Sequence, residues 1–104
     1  MLTKEQIKKI KIDTAEQNDE YALVFEALGE HGRFRIFRLL MDHQELCVTD
    51  VAEIFGITVS AASQQLKILE RVGLVERMRM GQMVCYEIKN SMIARHIKKL
   101  LKDN

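Results

Sequence analysis

Between residues 46 and 73 the chain reads LCVTDVAEIFGITVSAASQQLKILERVG, and its apolar positions fall into two helical stripes. Val51, Ala52 and Phe55 form the first, and Ala62, Leu66, Leu69 and Val72 the second, at spacings of three or four residues. Thr49, with Asp50 and Glu53 behind it, is placed to cap the first helix, and Thr58 to cap the second. Gly56 ends the first and Gly73 the second. Helices joined by so short a turn cross steeply and leave room for only a small side chain, Ala52, at their closest approach. Gly56 lets the backbone turn through positive φ at low cost. Val51, Phe55, Ile57 and Ala62 are expected to fill the wedge between the two helices.

The same periodicity places the other elements. Residues 3–12 predict a helix with Thr3 as N-cap and Ile7 and Ile10 on one face; Asp13 and Thr14 either interrupt it or are carried through. Asp19 to Leu28 predicts a second, closed by Gly29, and Arg33 to Met41 a third that buries Phe34, Phe37, Leu40 and Met41. Asp42 to Glu45 is a polar turn. Leu74 to Arg79 and Met83 to Ile88 read as two strands around Gly81. A last helix follows Asn90, with Ile93, Ile97, Leu100 and Leu101 apolar and Lys98, Lys99 and Lys102 outside. The order predicts a mainly α fold with a two-stranded β-hairpin wing. This is a winged helix-turn-helix, α-α-α-α-β-β-α, in a single domain spanning residues 1–104.

The helix after Thr58 has an unusual outer face. Ordinary solvated helices carry long charged side chains that pair three or four residues apart. Here the outer positions hold Ser60, Ser63, Gln64 and Lys67. Short polar side chains in the first turns of a helix permit close approach to the major groove. Ser60 and Ser63 can bond bases or phosphates, Gln64 can pair with adenine in bidentate fashion, and Val59 can meet a thymine methyl. Lys67 suits a phosphate, and the positive helix end at Thr58 favours another. On the hairpin, Arg77, Arg79 and Gln82 suit backbone or minor-groove contact. Gln65 falls where the pattern wants an apolar residue, so it is expected to hydrogen-bond inside the domain.

Composition sharpens this picture in one respect. The net charge of +1 names no partner, but residues 1–57 hold 7 Lys+Arg against 11 Asp+Glu, and residues 58–104 hold 9 against 4. A basic half behind an acidic half suits a polyanion bound on one face. Two cysteines, Cys47 and Cys85, without C-x-x-C spacing favour a reducing cytosol with free or buried thiols over a disulfide framework. The charged start, MLTKEQIKKIKIDTAEQND, offers no export segment, and no run reaches the length of a membrane span. A cytoplasmic protein without membrane association is expected. Phosphate loops, nucleophile–base pairs and paired carboxylates are missing from the sequence, which argues against an enzyme and implies no cofactor.

At ALGEHGRFRIFRLL, ELCVTDVAEIFGIT, SAASQQLKILERVGLV and RMGQMVCYEI the chain resembles the ArsR/SmtB family of winged-helix transcriptional repressors. The resemblance runs from Ala22 to Ile88. It implies a homodimer built from the N-terminal helices (residues 3–29) and the C-terminal helix (residues 91–103), bound to an imperfect palindromic operator in double-stranded DNA. It also implies release when an inducer binds or a thiol is oxidised. By motif position it assigns recognition to Thr58, Ser60, Ser63, Gln64 and Lys67, with Arg79 and Gln82 on the wing. Metal-sensing relatives carry a second cysteine in ELCVCD, where this chain has Thr49. One thiolate does not make a soft-metal site. The final helix opens with Asn90-Ser91-Met92 rather than with zinc ligands, and His96 is expected to pack in the dimer interface. No metal site is expected, and the inducer is left unknown. Dithiol members place their cysteines elsewhere, so a Cys47–Cys85 redox pair would need the two Cα atoms within about 7 Å. The competing reading is a winged helix that serves protein contact or dimerisation without specific DNA binding.

Overall fold

The computed structural model describes residues 1–16 and 19–102. Helix α1 (Lys4–Ala15) starts at Thr3, whose hydroxyl accepts from the Gln6 N–H while the Gln6 side chain accepts from the Thr3 N–H. This reciprocal capping box satisfies two otherwise orphaned donors. Asp13 and Thr14 are carried through the helix, and none of its residues is buried. Helix α2 (Glu20–Leu28) buries Val24 and Ala27. Helix α3 (His31–Asp42) begins at Glu30, whose carboxylate accepts from the Gly32 and Arg33 N–H groups, and it buries Ile36, Phe37 and Leu40.

The helix-turn-helix comprises α4 (Val48–Phe55) and α5 (Val59–Arg71). Gly56 closes α4 in the left-handed region at φ +64°, and Gly73 follows α5 at φ +87°. Thr58 caps α5 as expected, its hydroxyl accepting from the Ala61 N–H at 3.0 Å. Two expectations fail here. Thr49 is not the cap of α4: the chain turns helical directly after Cys47, whose N–H donates to the Asp50 carboxylate at 3.0 Å. Ile57 does not fill the wedge: it stays 38% exposed, while Val51 and Ala62 are fully buried. The turn carries Ile57 past the crossing point before α5 begins.

A short strand, β1 (Leu46–Cys47), precedes α4, and the wing is β2 (Val75–Met80) and β3 (Met83–Ile88). The sheet is antiparallel in the order β1-β3-β2. Met80 faces Met83 across the two-residue turn Gly81-Gln82, with Gly81 at φ +66°. Positive φ at that position matches the twist of a tight hairpin. Helix α6 (Met92–Lys102) is tied back by Ser91, whose hydroxyl donates to the Gly73 carbonyl and accepts from the Ala94 N–H. Asp103 lies outside the described residues.

All six helices read from the periodicity are present, the 3–29 region holding two of them as expected, so the compressed string α-α-α-α-β-β-α undercounts them by one, and β1 adds a third strand to the expected hairpin. Register places Cys47 opposite Cys85, and the two form a disulfide with Cα atoms 3.7 Å apart. This corrects the expectation of free thiols. A pairing between residues 38 positions apart is a tertiary event that spacing in sequence does not reveal. One core runs through the molecule, from Val24 and Phe37 through Val51, Leu66 and Leu69 to Leu74, Tyr86 and Ile97. Each such side chain contributes about 1.5–3 kcal/mol by leaving water.

Candidate nucleic-acid interface

Helix α5 presents two longitudinal faces. Ala62, Leu66 and Leu69 enter the core, fixing the helix's rotation about its own axis. The opposite side must then face outward. Val59, Ser63 and Lys67, one turn apart in succession, form one wall of a cleft of about 350 Å³ between α5 and the wing. Arg77, Gln82, Met83 and Val84 form the other wall, and Cys47, Val48, Thr49 and Tyr86 complete it. Ser60 and Gln64 are exposed on the strip of α5 beside this wall. Arg79 is exposed two residues beyond Arg77 on the same face of β2, nearer the tip and outside the cleft lining.

The structure thus gathers Val59, Ser63, Lys67, Arg77 and Gln82 into one cleft. It leaves Ser60, Gln64 and Arg79 exposed beside it, and Thr58 at the helix end. Val59 is 51% exposed, although apolar, which leaves it free to meet an apolar group outside the molecule. Among the described residues, none of Lys67, Arg77 and Arg79 forms an ion pair, so their charge is directed to solvent. Thr49, Met83 and Val84 were not singled out by sequence. The sequence pattern marks Thr49 only as a cap, and Met83 and Val84 only as part of a strand. Nothing in their local pattern marks them, because the cleft arises only when β3 docks beside α4.

The support behind the cleft is polar. The Arg33 guanidinium donates to the Ala27 carbonyl at 2.8 Å and to the Gln65 side-chain oxygen at 3.0 Å. The Gln65 amide donates to the Glu30 carboxylate at 3.3 Å. Gln65 therefore turns inward, as its misfit in the apolar pattern suggested, and ties the middle of α5 to the ends of α2 and α3. The backbone N–H groups of Arg33 and Gly32 hold the Glu30 carboxyl below its ordinary range, and the Arg33 charge adds to this. His96 is exposed and hydrogen-bonds the Tyr21 hydroxyl, joining α6 to α2. Among the described residues, no three of His, Cys, Asp and Glu cluster so as to hold a metal ion. No helix among them is long and apolar enough to cross a membrane.

Comparison with known proteins bears on the same segment. The model of the bacterial regulatory protein arsR family matches residues 30–77, from the start of α3 into the wing. A cadmium resistance transcriptional regulatory protein CadC homolog of Staphylococcus aureus is 33% identical over 98 residues, covering 93% of this chain and 78% of that protein. A transcriptional repressor SmtB homolog of Synechocystis is 34% identical over 89 residues, covering 84% and 67%. The chain spans from 56% to 78% of the length of such curated relatives. Among solved structures, a homodimeric winged helix-turn-helix DNA-binding domain from Mycobacterium bovis, a possible ArsR-family transcriptional regulator, matches with TM-score 0.71 and 29% identity. That match covers 86% of this chain and 87% of that one.

Proposed function

The chain belongs to the arsR family of bacterial regulatory proteins, non-enzymatic DNA-binding transcriptional regulators, and from that premise we propose that it acts in the cytoplasm as a homodimeric repressor of a palindromic operator. The cleft between α5 and the wing carries this reading, because its outward residues supply the chemistry a duplex requires. Ser60, Ser63 and Gln64 read base edges in the major groove, with Val59 against a thymine methyl. Lys67, Thr58 and the start of α5 take phosphates, while Arg77, Arg79 and Gln82 follow the backbone beside the groove.

Dimerisation is supported by apolar side chains left without cover on α1, α2 and α6. Ile7 and Ile10 on α1, Leu23 and Phe25 on α2, and Met92 and Leu100 on α6 are all exposed. The repressor reading expects a dimer whose two α5 helices stand about 34 Å apart, one turn of DNA.

Selection of bound duplexes from a random library tests the reading. A two-fold symmetric site with half-sites one turn apart should emerge, and its binding should weaken steeply with salt. Gln64→Ala should relax preference at one base position, whereas Lys67→Ala should weaken all duplexes alike and lower the salt slope by about 1. An unenriched pool, bound equally by both variants, would leave the protein-contact reading in its place.

A further inference from the structure

Val48, Met83, Val84 and Tyr86 have no part in the DNA contacts proposed above, yet together with Val59 they give the cleft between α5 and the wing an apolar lining. Its volume of about 350 Å³ falls within the range of ordinary small-molecule sites. Phosphates and sugars gain nothing from such a surface. Val59 and Met83 are about half exposed, one on each wall, so an apolar guest between them would gain burial that the fold leaves unused. None of the lining residues belongs to α1, α2 or α6, the elements proposed for dimer contact.

Three polar groups give this slot a chemical preference. Each wall supplies a cation, Lys67 from α5 and Arg77 from β2, and among the described residues neither forms an ion pair. Register sets Arg77 opposite Tyr86 and Arg79 opposite Val84, so these four side chains share one face of the wing. Tyr86 is almost wholly buried, and among the described residues its hydroxyl has no hydrogen-bond partner. Burial and then the Glu70 charge push that hydroxyl's pKa up, against a smaller pull from Arg77, so it stays protonated and able to donate. Glu70 itself lies outside the lining. Two cations and a phenol donor suit a carboxylate, whose two oxygens match the guanidinium fork. A phosphate ester would bring a larger charge into the apolar slot at greater desolvation cost. The Met83 thioether, opposite Val59, suits the edge or face of an aromatic ring.

We infer that the cleft between α5 and the wing is a binding site for a small aromatic carboxylate, which occupies Lys67 and Arg77 and thereby displaces DNA. The site stands on the cleft alone; the displacement rests on the DNA-binding reading and supplies its regulation. The ring lies between Val59 on one wall and Met83 and Val84 on the other, and the carboxylate takes the two cations. Ligand and duplex need the same two side chains, so they exclude each other. A ligand at about ten times its own Kd therefore weakens apparent duplex affinity by about elevenfold.

The test titrates the full chain with 2-naphthoate, and with 2-naphthamide as its uncharged counterpart, followed by NMR. Saturable shifts should appear at the Val48 and Val84 methyls and the Tyr86 ring, and 2-naphthoate should bind about tenfold more tightly than the amide. Lys67→Gln should narrow that gap. Val84→Trp fills the slot and should abolish binding of both probes. If that variant fails to fold, Tyr86→Phe carries the comparison, with 2-naphthoate weakened about threefold by loss of the donor. Saturating 2-naphthoate should then displace the selected duplex in a competition titration. The absence of a saturable response, or shifts confined to other elements, would overturn the site. An amide that binds as well as the acid would overturn the ligand class, and a filled cleft with duplex affinity unchanged would overturn the competition. If no duplex binds with or without the probe, the DNA reading fails instead, and the NMR titration alone decides the site.

Discussion

Replacing Arg33 with Met keeps the aliphatic stem of the side chain and removes its guanidinium. That group is 17% exposed, so water replaces its partners only in part. Two hydrogen bonds are lost, to the Ala27 carbonyl at 2.8 Å and to the Gln65 oxygen at 3.0 Å. Hydrogen bonds from a charged donor contribute about 1.5–3 kcal/mol each when shielded, and partial solvation places these near the lower end. The ion pair with Glu30 spans 4.0 Å and its carboxylate side is 43% exposed, so screening leaves it little to add. Arg33→Met should therefore destabilise the fold by roughly 3 kcal/mol, or on the order of 15 °C in Tm for a domain of this size.

Urea denaturation at fixed protomer concentration reads this directly, since dimerisation makes stability depend on concentration. Gln65→Met should be non-additive with Arg33→Met, with a coupling of about 1 kcal/mol in a double-mutant cycle. Because the same bonds anchor the middle of α5, each variant should also weaken DNA binding under conditions where it remains folded. A loss below about 0.5 kcal/mol for Arg33→Met would refute the view that this network holds the recognition helix in place.

Other expectations concern the caps and the carboxylates. Thr58→Ala removes the acceptor for the Ala61 N–H and should lower stability by about 1 kcal/mol, measured by urea midpoint. Glu87 faces Glu76 across the wing, and burial, then the hydrogen bond and charge of Glu76, then Glu45, push its carboxyl above the usual range. A raised acid favours the folded state below its unfolded pKa and loses that advantage as pH rises through the folded value. Glu87→Gln should thus raise Tm at pH 7, with the gain fading in acid. Glu30 runs the other way. Its depressed carboxyl stabilises above the unfolded pKa, and the contribution is lost as pH falls through the folded value, so Glu30→Gln should lower Tm at pH 7 and converge with the parent in acid.

Much of the fold was legible because it is local. Helical stripes identify α1 to α6, and Gly56, Gly73 and Gly81 mark positions where positive φ is required. Gln65 was legible as an exception, since a polar residue on a buried stripe must find a partner within the domain. The strand β1 was not legible. Two residues carry no period, and their pairing depends on where β3 arrives. The same pairing decides three other points. It brings Cys47 to Cys85, shifts the start of α4 so that Thr49 is no longer its cap, and closes the cleft around Thr49, Met83 and Val84. For the site, the outer face of α5 followed from its core face by geometry alone, whereas its second wall is a product of long-range packing.

The central claim is that the outer face of α5 and the facing wall of the wing grip duplex DNA together. Amide chemical shifts followed by NMR during titration with the selected duplex test it most directly. The account predicts saturable changes concentrated at Thr58–Lys67 and Arg77–Gln82, with α1 and the buried face of α5 little affected. Changes confined to α1, α2 and α6, or spectra that do not respond to any duplex, would contradict it.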